Sequence, residues 1–420
     1  MERQKIMKKF FLLLVFLQMV TLLSGCFDRK ELEEQAYVVS IGVDKTDKEN
    51  IFRFTFQIAN PEVGSSVSGN PAPEPVQEIV SVLGTDFLSA TNAANASVAK
   101  EITLEQARIV IVSQKLARSK EFIHLMQSAP STVDLKLNSQ LVISKEKAED
   151  FIRDNKPKME SRPHKYFQYI LDRAKETGVI PNAPLVRYFQ ITEGDADLFI
   201  APLATTKKDP KEKYGEEDNY EAGEVQLRGG NVTQFMGSAV FKEGQMIDTL
   251  TGEETRISLI LDTTLAQQDI IATYKDPLKP DFDIAAQHQV DRVKVKIKYK
   301  PNSTSDIIVY INTHMNVFAV PSTESYMVEA KKRKMLHDSL ERQLEERIEQ
   351  LVRKTQEKYK LEPFYWSLHI RHKFLTIRDY EKADWSHKIY PNANVQIHVT
   401  VKSLEFGKIL RESDLKEVRD

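Results

Sequence analysis

The sequence predicts an α+β protein of more than one domain, with mixed and antiparallel sheets, packed helices and one long helix near the C-terminus. Three observations predict it. In residues 37–58 two strand-like runs flank the polar stretch VDKTDKEN; in the second, Phe52, Phe54, Phe56 and Ile58 alternate with Arg53, Thr55 and Gln57. Residues 292–300, RVKVKIKYK, alternate without an error. Residues 323–361 carry a helical pattern that would span about 58 Å if unbroken.

The first segment is a targeting signal rather than part of the fold. Arg3, Lys5, Lys8 and Lys9 give a positive start, and Phe10 to Leu23 form a 14-residue apolar run broken only by Gln18 and Thr21. That pattern is a secretory signal. As a helix the run reaches about 21 Å, short of the roughly 30 Å hydrocarbon core of a bilayer. It ends in Leu23-Ser24-Gly25-Cys26, and Cys26 is the only cysteine in 420 residues. The leucine-small-small-cysteine exit resembles a bacterial lipobox. The motif implies cleavage between Gly25 and Cys26, with N-palmitoyl and S-diacylglycerol groups on Cys26; an uncleaved signal anchor is the alternative. Two or more acyl chains anchor a protein stably, whereas one holds only weakly. A lone cysteine excludes an internal disulfide, a thiolate zinc site and a redox pair.

Four regions follow: a signal peptide (1–25), an N-terminal α+β region of one or two subdomains (26–205), a charged linker (206–228) and a C-terminal α+β domain (229–420). In the second region, Tyr37 to Val43 is the first strand and 60–78, with four prolines, is a loop. Asp86 to Lys100 is a helix and Ala107 to Val112 a short buried strand. Ser144 caps a helix running to Asp154, and Lys165 to Glu176 forms another. The run TTKKDPKEKYGEEDNYEAGE (205–224) has no apolar period and marks the boundary. Beyond it, GSAVFKEGQMIDTL predicts a hairpin turning at Glu243-Gly244. In 292–300, Val293, Val295, Ile297 and Tyr299 share one face opposite five cations, the solvated side of an antiparallel sheet. Pro321 with Ser322 or Thr323 starts the long helix. Its stripe of Leu336, Leu340, Leu344, Ile348, Leu351 and Val352 advances mostly in fours, which suits a helix laid across a sheet rather than a coiled coil. Val395, Ile397, Val399 and Val401 face inward from the last strand.

The charge excludes some partners. The chain has 59 Lys and Arg against 61 Asp and Glu. Removing residues 1–25 takes away four cations and one acid, leaving about −5. Nothing in that balance attracts nucleic acid. Catalytic motifs are missing as well. The chain has no His-Glu-x-x-His, glycine-rich phosphate loop or Gly-x-Ser-x-Gly. Ser-x-x-Lys occurs at Ser97/Lys100, Ser144/Lys147 and Ser413/Lys416 without companion motifs. His369 and His372 lack an evident third metal ligand, and TGEETR (251–256) reads as a polar turn. The reading is therefore no enzyme, no catalytic or metal residues and no cofactor.

Ordered pieces of the chain resemble the C subunits of spore germinant receptors, the Ger(x)C lipoproteins. They are LSGCFDRKELEEQAYVVSIGVDK, FTFQIANP, ARIVIV, GSAVFKEGQMIDTLTGEETR and the long charged helix before the final strand. Two departures stand out. The family often has a His before the strand at Ala107–Val112, where this chain has Gln106. It often has Asp-Pro with a nearby glycine after the long helix, where this chain has Glu362-Pro363-Phe364. The resemblance implies a lipoprotein on the outer face of the spore inner membrane. It also implies work with polytopic membrane subunits A and B in nutrient-triggered germination, without catalysis. A substrate-binding lipoprotein of a transporter is the alternative, and predicts a parallel sheet in each of two lobes. An envelope hydrolase would need convergent acids or a nucleophile in a cleft.

Overall fold

The computed structural model describes residues 2–22, 31–60, 77–194, 197–265, 269–301 and 303–407. Strands β1 (Gln35–Lys45), β2 (Phe52–Ala59), β3 (Gln77–Gly84), β4 (Glu101–Thr103), β5 (Ile109–Ser113), β6 (Gln140–Ser144), β7 (Phe199–Thr205), β8 (Gln234–Lys242) and β9 (Gln245–Leu250) form the larger sheet. Its order is β3-β2-β1-β5-β6-β7-β8-β9, with β4 beside β1. Strands β10 (Asp269–Lys275), β11 (Asp283–Lys298), β12 (Asp306–Ala319) and β13 (Asn394–Glu405) form the smaller sheet in that order. The fold is α+β with mixed sheets, as the sequence predicts.

In the larger sheet β1, β5, β6 and β7 run parallel, and the flanking pairs are antiparallel. Parallel neighbours need crossovers. Between β1 and β7 the chain forms α2 (Phe87–Ala94), α3 (Gln114–Ala117), α4 (Glu121–Ser128), α5 (Ala148–Asp154), α6 (Pro163–Glu176) and α7 (Leu185–Thr192), after the leading helix α1 (Glu2–Leu22). Both faces of the sheet are covered, so β5 is buried at every position. Phe54, Phe56 and Phe87 pack on one face; Ile109, Ile111, Phe151 and Phe167 pack on the other. Thr55 and Gln57, polar in the β2 alternation, are buried too. Hydrogen bonds accommodate them: Ser40 donates to Gln57 (2.6 Å), Gln57 donates to Gln77 (2.6 Å), and the hydroxyls of Thr55 and Ser81 lie 3.1 Å apart.

Two predicted helix boundaries shift, the first for a reason that lies far along the chain and the second for a local one. α5 begins at Ala148, not Ser144. Ser144 ends β6 and donates to the Glu146 carbonyl (2.7 Å), while the cap is Asp44 at the end of β1. Its carboxylate accepts from the Ala148 and Glu149 amides at 2.8 and 2.9 Å across 104 and 105 residues. Gly42 makes the approach close, because a Cβ there would sit 2.8 Å from Ile152. α2 starts at the predicted place, where Asp86 and Ser89 form a capping box, but stops at Ala94. The Asn95 side chain then accepts from the Ile102 amide (2.9 Å) and turns the chain into β4.

The stretch 206–228 joins β7 to β8, neighbours in one sheet, and its Tyr220 and Ala222 are buried. Asp218 accepts from the Thr273 amide of β10 (2.8 Å), so this stretch touches both sheets. β8 and β9 make the predicted hairpin, with φ of 50° at Glu243 and 78° at Gly244. TGEETR is not a turn. Thr251 caps α8 (Gly252–Leu261) and Glu254 completes the box.

In the smaller sheet, β11–β12 is a long antiparallel pair and β12–β13 is parallel. The return between them is α9 (Ala330–Lys354), followed by a π turn at Thr355–Tyr359. All six stripe residues of α9 are buried against this sheet's inner face. The helix starts later than Ser322 or Thr323 because Ser322 instead donates to the Asp276 carboxylate (2.5 Å) and Thr323 has φ of 59°. Polar side chains of α9 cover both sheet edges. Gln343 bonds the Lys275 amide and carbonyl at 2.9 Å each, and His337 donates to the Val401 carbonyl (2.7 Å). Glu341 accepts from the Val401 amide (2.8 Å).

Candidate functional site: a buried polar junction

Gly25 and Cys26 lie outside the described residues. The segment before them forms one helix, α1, and no described helix is long and apolar enough to cross a membrane. Ser413 and Lys416 also lie outside. His369 and His372 fall on and just after α10 (Leu368–Arg371), where His369 Nε2 faces the Thr263 hydroxyl (2.8 Å). The sequence reading missed a group on α9, His337, Asp338 and Glu341, whose ligand atoms lie within 4.8 Å of one another. These atoms are already engaged. His337 and Glu341 hold the β13 edge, and Asp338 pairs with Lys334 (2.6 Å).

A second group brings together three distant stretches. After α9 the chain enters Glu362-Pro363-Phe364-Tyr365-Trp366-Ser367. Glu362 is fully buried; its carboxylate accepts from the amides of Phe364 (2.5 Å), Trp366 (2.9 Å) and Ser367 (3.3 Å). The Ser367 hydroxyl donates to both oxygens of Asp197, just before β7, at 2.9 and 3.1 Å. The Leu198 amide donates to the Glu362 carbonyl (3.1 Å), and the Tyr365 hydroxyl donates back to the Leu198 carbonyl (3.2 Å). The third stretch follows α8. Trp366 Nε1 donates to the Leu261 carbonyl (3.2 Å), and Asp262 pairs with Arg187 of α7 (2.7 Å). The Arg187 guanidinium lies 4.6 Å from the Tyr365 ring centroid.

The electrostatics are those of a sealed contact. Burial pushes Glu362 well above the usual carboxylate range, reinforced by the charge of Asp197 and opposed by its three amide donors. Burial raises Asp197 to about 6, with Ser367 and Arg371 opposing. The two departures from the resembled family fall in different settings. Gln106 is exposed before β5, whereas Glu362 sits at the centre of this junction. In sequence no glycine follows Glu362 before Gly407, and Tyr365 takes the left-handed φ of 58° that glycine adopts without strain. The junction residues run from Arg187 to Ser367, so no spacing revealed them. Their one sequence signal was an acid inside the aromatic run Glu362–Trp366.

Fold and junction define a class: an α+β protein whose N- and C-terminal parts are fastened by buried hydrogen bonds. Comparison with known proteins narrows it. Residues 28–206 match the spore germination protein N-terminal domain, and residues 236–407 match the spore germination B3/GerAC-like C-terminal family. The chain belongs to this spore germination family. Spore germination protein B3 of Bacillus subtilis (strain 168) is 22% identical over 408 residues, 93% of this chain and 96% of that protein. Spore germination protein KC of the same strain is 25% identical over 149 residues, 35% of this chain and only 36% of its own length. GerQC of Bacillus cereus is 21% identical, covering 73% of this chain and 74% of its own. The crystal structure of the GerBC protein aligns with a TM-score of 0.46 at 14% identity, over 90% of this chain and 99% of that one.

Proposed function

We propose that this chain is a lipid-anchored, non-enzymatic subunit of a nutrient germinant receptor. It is held through Cys26 on the outer face of the spore inner membrane and acts with membrane subunits A and B in assembly or coupling. The observation that carries the reading is the pair of family matches, in order, over residues 28–206 and 236–407. The Leu23-Ser24-Gly25-Cys26 exit supports the anchor. The junction of Asp197, Glu362 and Ser367 supports coupling, because a displacement of either part of the chain must pass through buried hydrogen bonds. The transporter reading lacks its expected feature: the smaller sheet has a single parallel pair.

The test is Cys26→Ala. The variant should lose incorporation of labelled fatty acid, leave the membrane fraction and impair nutrient germination. Full labelling of the variant would contradict the anchor.

A further inference from the structure

Among the described residues, one side of the smaller sheet is left open. Its inner face packs under α9, and its outer face is read from the strand register. Lys298, Asp306 and Asn394 form one cross-strand row; Lys296, Ile308 and Gln396 form the next; Lys294, Tyr310 and His398 form a third. The Lys296 ammonium lies 5.1 Å from the Tyr310 ring centroid, and the Tyr310 and His398 rings are 5.3 Å apart. Lys294, Lys296 and Lys298 are exposed, as are Gln396, His398 and Thr400. Among the described residues, no carboxylate forms an ion pair with Lys294, Lys296 or Lys298; the nearby Asp306 is taken by Lys300 (2.8 Å). Towards the other end of the face, Ile271 and Phe318 are 40% and 43% exposed.

An open sheet face is ordinary, but this one is patterned. Three lysines in file on β11 border an aromatic pair on β12 and β13, in a chain whose net charge is −2. α9 side chains bond the β13 edge at Val401 and the β10 edge at Lys275, and Asp218 bonds β10 at Thr273, so a partner would meet the face rather than add a strand. Charge complementarity calls for an acidic partner. Carboxylates interleaved on the face favour a protein over a lipid surface. Asp291 sits there paired with Lys402 (3.0 Å) and His314 (3.1 Å), and Glu405 stands on β13. A uniformly anionic bilayer would repel those groups, whereas a folded partner can match both signs.

We propose that the Lys294–Lys296–Lys298 file with Tyr310 and His398 is a docking surface for an acidic face of another receptor protein outside the membrane. This rests on the receptor-subunit reading above. The experiment uses the full lipid-bearing chain in detergent extracts of spores, recovered by affinity tag. The triple variant Lys294→Glu/Lys296→Glu/Lys298→Glu should recover the other receptor subunits at least tenfold less well, with fatty-acid label and melting temperature unchanged. A control of equal charge change on the exposed side of α9, Lys331→Glu/Lys334→Glu/Arg342→Glu, should recover them fully. The milder Lys294→Gln/Lys296→Gln pair should give an intermediate loss that deepens with added salt. Full recovery with the triple variant, or equal loss with the control, would overturn the surface. Recovery intact but binding to phosphatidylglycerol vesicles lost would make it a lipid surface and overturn it equally. If the unaltered chain recovers no other receptor subunit, the receptor reading itself falls and takes this surface with it.

Discussion

The two sheets share one sequence rhythm and end in different surroundings. In β2, Phe54, Phe56 and Ile58 are buried and so are Thr55 and Gln57 between them. In β12, Val309 and Ile311 are buried, whereas Tyr310 and Asn312 are only partly so. Alternation tells which residues face a core; it does not tell whether the other face is covered. The polar residue types do. Ser, Thr and Gln can donate and accept within a few ångströms, and they satisfy one another beneath α5 in the larger sheet. Lys and Asn on the smaller sheet keep their ammonium and amide groups at the surface, as long cationic side chains do.

That contrast can be broken by mutation. The largest effect is expected at Leu344→Asp, which puts a carboxylate into the α9–sheet core and should cost about 3–5 kcal/mol. Glu346→Gln, exposed on the same helix, should leave the melting temperature within a degree or two. Glu345 would be a poor control, since it is half-buried and interacts with the Val399 backbone. Next is Gln57→Leu, which strands the Ser40 hydroxyl and the Gln77 side chain. It should cost about 1–3 kcal/mol by denaturant unfolding, against a change within about 0.5 kcal/mol for Gln396→Leu on the open face. Equal costs for the two would mean that the faces do not differ as described.

A pH measurement sharpens the same comparison. His288, on the inner face of the smaller sheet, bonds the Tyr274 hydroxyl (2.5 Å) and is held to about 3 by burial, with Arg347 and Arg256 adding to the effect. The unfolded chain takes up that proton near 6.5 and the folded chain does not, so stability falls as pH drops below about 6.5. Between pH 7 and pH 5 the loss is about 2 kcal/mol, and His288→Phe should remove it. Asp197 has the opposite sign. Raised to about 6, it binds its proton more tightly in the fold, so its contribution is present at low pH and is lost as pH rises through 6. Asp197→Asn should therefore remove that opposing contribution and make stability rise more steeply from pH 5 to pH 7, and an unchanged slope would contradict the junction's electrostatics. The smallest effect is on the open face, where Lys296→Ala should stay within about 0.5 kcal/mol.

Much of this was legible in the sequence. The stripe from Leu336 to Val352, the inward valines of β13 and the Glu243-Gly244 turn each follow from local periodicity or turn chemistry. Two of the shifted helix starts share a cause, which is a partner remote in sequence. Asp44 caps α5 from β1, and Asp276 draws Ser322 away from the start of α9. The parallel core was hidden because strands covered on both faces, such as β5 and β6, read as short apolar runs without alternation. The junction was hidden because its acids, arginine and serine come from positions 187 to 367.

The central claim, that this chain works inside an assembly which covers its smaller sheet, has a direct test in its cysteine count. Cys26 is the only natural thiol, and it is the predicted lipid attachment site. Gln396→Cys would put a single free thiol on the open face, and Gln350→Cys would put one on the exposed side of α9. Both should react with maleimide at similar rates in the isolated protein. In receptor extracted from spores, the account predicts at least tenfold slower labelling at 396 and no change at 350. Equal labelling at 396 in the isolated and assembled protein would contradict it.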